Sequence, residues 1–67
     1  MEPGQILFSP QNLKAARKRI KGLTQGKVGD QLGVSVETVR SWEQGKAEPP
    51  ISRLRELSRL YGVSFII

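Results

Sequence analysis

Thr24-Gln25-Gly26-Lys27-Val28-Gly29-Asp30-Gln31-Leu32-Gly33-Val34-Ser35-Val36-Glu37-Thr38-Val39-Arg40-Ser41-Trp42-Glu43 decides the fold. Thr24 and Ser35 are helix N-caps, because each hydroxyl can accept from a free backbone N–H in the turn that follows. Between them Gly33 supplies a turn with positive φ, and Val34 plugs the space the turn leaves. The stretch therefore reads as a pair of short helices, over 25–32 and 36–44, joined at Gly33-Val34. The second carries an apolar edge, Val39 and Trp42, and a polar, charged edge on the other side. A helix so built, propped steeply on another, is the shape that enters the major groove of DNA.

Upstream, Ser9 caps a helix with Pro10 at its first position, where the missing N–H costs nothing. Phe8 and Leu13 stand at the two positions of a hydrophobic staple. The pattern extends this helix over 10–21, with Gly22 as its stop, a core edge of Leu13, Ala16 and Ile20, and a basic remainder of Lys14, Arg17, Lys18, Arg19 and Lys21. Downstream, Gly45 ends the groove-facing helix and 46–50 form a loop that Pro49-Pro50 keep from helix. A last helix over 51–61 presents Ile51, Leu54, Leu57 and Tyr61 at helical spacing, with Leu60 beside them, and Gly62 stops it. Gly26 and Gly29 lie inside the second helix, where each costs about 0.5–1 kcal/mol relative to alanine. Gly29 suits a close contact; Gly26 is either a weakness or a place where backbone comes near something. No β pattern is seen, and the class is all-α, a four-helix domain.

The outer side of the third helix displays Val36, Glu37, Arg40, Ser41 and Gln44. Arg40 can donate twice to guanine, Glu37 can accept from cytosine, Val36 can touch a thymine methyl and Ser41 can donate or accept. The same side chains would also serve as a solvated face; their place after a capped helix and a glycine turn favours the groove. Gln25 begins the second helix, whose free N–H groups and positive dipole end suit a phosphate. Thr38, Gln44 and Lys46 flank the third helix as further phosphate candidates, which set register rather than sequence preference.

Composition bounds the rest. Sixty-seven residues allow one domain, read as an apolar arm over 1–8 behind a polar tail, a helical domain over 9–64 and an apolar end over 65–67. Eleven basic against six acidic residues give a net charge of +5, which favours polyanionic partners through counterion release. With neither histidine nor cysteine, and no carboxylate pair placed in a cleft, no catalytic or metal constellation is seen and no cofactor is expected. No apolar run approaches a membrane span and no signal pattern leads the chain, so a cytoplasmic, nucleoid-associated protein is the expectation.

The run Gly22-Leu23-Thr24-Gln25, Leu32-Gly33-Val34-Ser35, Val39-Arg40-Ser41-Trp42-Glu43-Gln44-Gly45-Lys46, Pro49, Leu54, Leu57 and Gly62-Val63-Ser64 resembles the Cro/phage-repressor (XRE-type) helix-turn-helix family, over about 13–64. The resemblance implies a lambda-repressor-like fold and a transcriptional regulator of double-stranded DNA, a repressor or an autoregulating antitoxin. It implies base approach by Val36, Glu37 and Ser41, with Arg40 at base or phosphate, and a phosphate contact from Gln25. It also implies a partly buried ion pair from the first helix to Glu43. Arg17 is that partner if Lys21 is an extra residue in the first connector, and Lys18 otherwise; Arg17 is preferred because it leaves Leu13, Ala16 and Ile20 on the core edge.

Departures from the family pattern are Gly26-Lys27 in place of an acidic pair, Glu48 where a basic residue is common, Pro50 at a usual N-cap position, and no fifth helix after Val63-Ser64. Phe65-Ile66-Ile67 is too short for one. The apolar ends 6–8 and 65–67 then either fold back on their own core, cover one another across a two-fold axis as a homodimer, or lead into a further C-terminal domain of a longer protein. A protein-interaction module on the same scaffold, with a toxin or co-regulator as partner, is the competing function.

Overall fold

Hydroxyl caps start three of the helices. In the computed structural model, which describes residues 4–66, β1 (Gln5–Leu7) leads into α1 (Pro10–Lys18), α2 (Gln25–Leu32), α3 (Val36–Gln44), α4 (Ile51–Tyr61) and β2 (Ser64–Ile66). Ser9 accepts from the Asn12 N–H, Thr24 from the Lys27 N–H and Ser35 from the Thr38 N–H. Pro50 gives α4 no such side-chain bond. Gly33, Gly45 and Gly62 end α2, α3 and α4 in the left-handed region, at φ of 73°, 77° and 68°.

The helices enclose one core of Leu13 and Ala16 from α1, Val28 and Leu32 from α2, Val39 and Trp42 from α3, Leu54, Leu57 and Tyr61 from α4, and Val63. Each fully buried aliphatic side chain there contributes about 1.5–3 kcal/mol relative to exposure. Gly29 is fixed by the turn: a Cβ would lie 2.7 Å from the Val34 carbonyl oxygen, so the backbone of the α2–α3 connection rests directly on it. Gly26 meets no such neighbour, the nearest atom to an added Cβ being Thr24 Oγ1 at 3.8 Å.

The structure corrects the sequence reading at three points. α1 ends at Lys18, and the chain leaves it through tight turns in which Ile20 N–H bonds the Arg17 carbonyl and Leu23 N–H bonds the Ile20 carbonyl. Ile20 is therefore turned out to solvent, and Leu23 packs on the core in its place. Ile51, assigned to the core edge of α4, is 53% exposed because the first residue of that helix projects beyond the packed layer.

The third correction concerns the ends. They contain a short sheet in an otherwise all-α chain: β1 and β2 pair in parallel, with Ile6 opposite Phe65. Ser64 N–H bonds the Gly4 carbonyl and Phe8 N–H bonds the Ile66 carbonyl, each at 2.6 Å. Phe8 and Phe65 meet edge to face, with ring centres 5.7 Å apart, and Ile6, Phe8 and Phe65 pack against the core. The apolar ends thus fold back on their own molecule, leaving Leu7 and Ile66 as exposed apolar side chains. Of the polar tail read over 1–5, Gln5 belongs to β1, while residues 1–3, like Ile67 of the apolar end, lie outside the described residues.

Candidate nucleic-acid interface

One buried carboxylate organises the elements that carry the site. Glu43 lies on the inner side of α3, with its side chain 1% exposed. Arg17 of α1 approaches it side-on: Nε donates to Oε2 at 2.8 Å and Nη2 to Oε1 at 3.1 Å. Gln25, first residue of α2, donates from Nε2 to Oε1 at 2.9 Å. Arg17 Nη1 also donates to the Leu23 carbonyl at 3.1 Å, so the connector is held by the same guanidinium. Three helices are thereby fixed to one carboxylate. The Glu43 hydrogen bond pushes the Arg17 guanidinium above its ordinary value, against the opposing effect of burial. Lys18, the other candidate for this pair, is exposed.

Beside the pair sits the Tyr61 hydroxyl, buried and without a hydrogen-bond partner among the described residues. Burial, reinforced by the charge of Glu43, pushes its phenol well above the ordinary tyrosine range, and Arg17 opposes the shift.

With Val39, Trp42 and Glu43 turned inward, the outer side of α3 is settled by helical geometry. Glu37, Arg40 and Gln44 are exposed, while Val36, Thr38 and Ser41 are half-buried. Arg40 and Glu37 stand 4.0 Å apart at i,i+3, both open to solvent, a contact too weak to withhold either from a ligand. Thr38 Oγ1 shares a 2.9 Å hydrogen bond with Ser35 Oγ, which ties its hydroxyl to the start of the helix. At the other end Gly45 N–H bonds the Trp42 carbonyl and Lys46 N–H bonds the Ser41 carbonyl, leaving Lys46 exposed just past the helix terminus. Gly45 also lets α3 close on α1, since a Cβ there would meet Pro10 Cγ at 3.2 Å.

Gln25 has a double position. One of its side-chain N–H groups serves Glu43, which leaves the other and the α2 N-terminus with its positive dipole end. Lys27 reaches back from the same end, Nζ donating to the Gly22 carbonyl at 3.0 Å. The sequence marks that lysine only as a departure from the family pattern, without its bond, and leaves out Arg53, whose Nη1 donates to the Leu32 carbonyl at 2.7 Å. Arg53 supplies the cation at the C-terminus of α2 that the last turn of α2 itself lacks. Neither was legible, because each bond depends on how the chain turns between elements rather than on spacing within one.

A capped helix, a glycine turn and a second helix with a polar outer edge make this a helix-turn-helix protein. The helix-turn-helix family model matches residues 13–66, most of the chain, and the protein belongs to the Cro/C1-type helix-turn-helix family of DNA-binding transcription regulators. It is similar to the SPbeta prophage-derived uncharacterized HTH-type transcriptional regulator YonR of Bacillus subtilis (strain 168), with 41% identity over 44 residues. That match takes in 66% of this chain and 41% of the relative, so the chain spans about two fifths of the length of the relative it matches. No solved structure matches it significantly. No helix among the described residues is long and apolar enough to cross a membrane.

Proposed function

We propose that this chain is a sequence-specific DNA-binding regulator, a repressor or an autoregulating antitoxin, that inserts α3 into the major groove. Val36, Glu37, Arg40 and Ser41 meet base edges in this reading, while Gln25, Thr38, Gln44 and Lys46 hold the phosphates on either side. The observation that carries it is the anchoring of Gln25 and α3 to one carboxylate. That network fixes the start of α2, a phosphate-binding end, relative to the outer face of α3. Docking of this kind needs both at a constant separation, since phosphate contacts set the register in which base contacts are read. The name of the similar prophage protein, an HTH-type transcriptional regulator, supports the regulatory role. The net charge of +5 supplies the sequence-independent part of the affinity.

Selection of bound duplexes from a random pool tests the reading. A single enriched motif is expected, and two copies of it in inverted order, about one helical turn apart, would show that the protein works as a dimer. A bound pool with no enrichment at any base position would overturn sequence-specific recognition.

A further inference from the structure

The small sheet has two outer edges, and they are finished differently. In the parallel ladder the even-numbered residues of β1 and β2 face one another, as the Ser64 to Gly4 and Ile66 to Phe8 bonds require. Gln5 and Leu7 therefore direct their backbone groups off the far side of β1, where Asn12 Nδ2 donates to the Leu7 carbonyl at 2.8 Å and blunts that edge. On β2 it is Phe65 whose N–H and C=O point away from β1. Among the described residues neither group has a partner.

Along β2 and α4 runs a groove of about 400 Å³, lined by Ile51, Leu54, Arg55, Ser58, Arg59 and β2 residues, and by none from β1, α2 or α3. Its lining sets apolar Ile51, Leu54 and Phe65 beside polar side chains. Its charged lining is entirely cationic: Arg55 and Arg59 are exposed and have no ion-pair partner among the described residues, whereas the third arginine of the helix, Arg53, is paired with Glu56 at 2.9 Å. Arg55 and Arg59 are four residues apart on α4, which separates them by about 6 Å along the helix. Side chains two apart on an extended strand, both on one face, are about 6.6–6.8 Å apart.

We infer that the outer edge of β2 is a docking site for an extended acidic segment of another protein, in which two carboxylate side chains at i and i+2 engage Arg59 and Arg55 while the backbone pairs with Phe65. Strand addition of this kind takes its affinity from main-chain bonds and its selectivity from alternate side chains. An acidic partner fits better than a second copy of this chain, because a two-fold pairing of β2 with β2 would bring both arginine pairs together with no acid in the groove lining to offset them. The inference does not rest on the DNA-binding reading, since it uses no residue of α2 or α3.

The probe is a capped pentapeptide Val-Glu-Val-Glu-Val, with Val-Lys-Val-Lys-Val as its control, titrated to about 1 mM against the full chain by amide NMR. The acidic peptide is expected to shift the Phe65 amide and the α4 signals around Arg55 and Arg59, and the basic peptide to leave them in place. Arg55→Glu with Arg59→Glu, both at exposed positions, should weaken the acidic peptide at least about tenfold and turn the basic peptide into the binder. Unchanged amide dispersion in that variant shows that the fold is intact. The inference is overturned by equal response to both peptides, by no response at Phe65, or by a Phe65 shift that follows protein concentration without peptide, which marks self-association. It is also overturned if duplex DNA, and not the acidic peptide, moves the Arg55 and Arg59 signals.

Discussion

Burying the Glu43 carboxylate takes it out of water, and that cost is offset only while Arg17 and Gln25 hold it. Arg17→Ala leaves an unpaired buried charge beside one remaining side-chain donor, and is expected to lower the unfolding free energy by about 3–5 kcal/mol in urea titrations. Replacing both partners by apolar residues of similar size, Arg17→Met with Glu43→Leu, should recover most of that loss. A single Arg17→Ala that unfolds at the wild-type urea midpoint would show that the pair is solvated rather than buried. Tyr61 is the other strained point. Tyr61→Phe removes an unsatisfied buried hydroxyl and should stabilise the fold by about 1 kcal/mol. Because the folded phenol is raised above its unfolded value, fold stability does not depend on its titration below about pH 10 and falls as pH rises from there through the folded value. The chain has one tyrosine, so its ultraviolet titration reports this group alone. Ionisation near the ordinary value in the native protein would contradict the burial argument.

At the scale of elements, the two glycines of α2 separate backbone cost from packing need. Gly26→Ala places a methyl in ordinary van der Waals contact with Thr24 Oγ1 and no closer atom, and should stabilise the domain by about 0.5–1 kcal/mol. Gly29→Ala forces the methyl against the Val34 carbonyl, and the turn must shift, at about 1–3 kcal/mol. Urea midpoints that move in the same direction for both would refute the assignment of Gly29 to the turn contact. The helices were legible because their signals are local: a hydroxyl three residues before the N–H it serves, a periodic apolar edge, and a glycine where φ turns positive. Period 3.6 misled at Ile20, since a periodic pattern continues past a helix end that capping does not mark. It misled at Ile51 because periodicity gives a face but not how far the core reaches along it. The strands were illegible for a different reason. Each is three residues long and they pair in parallel from opposite ends of the chain, so no hairpin turn announces them.

For the whole molecule, 67 residues imply a stability of only about 3–10 kcal/mol, so loss of the Arg17–Glu43 pair is a large fraction of it. The β1–β2 ribbon matters at this scale: it joins the two ends and covers the open side of the α4 layer with Phe8 and Phe65. The orientation of α3 thus depends on a network distributed through the fold, while its outer face stays free for a ligand. Side chains at 36, 37, 40 and 41 could be offered as candidates from the sequence because helix geometry alone turns them away from the inward-facing Val39, Trp42 and Glu43. The part that could not be named, Gln25 bound to Glu43 and Lys27 to Gly22, depends on tertiary closure.

Groove insertion by α3 is the central claim, and base-by-base affinity measures it most directly. Wild type, Arg40→Ala and Lys46→Ala are titrated against the selected duplex and against each of its single-base variants at one salt concentration. Arg40→Ala is expected to lose about 1–3 kcal/mol of discrimination at one base position, while Lys46→Ala weakens all duplexes alike and lowers the salt slope by about one. Equal weakening on every duplex for Arg40→Ala, or no change in either variant, would contradict groove insertion.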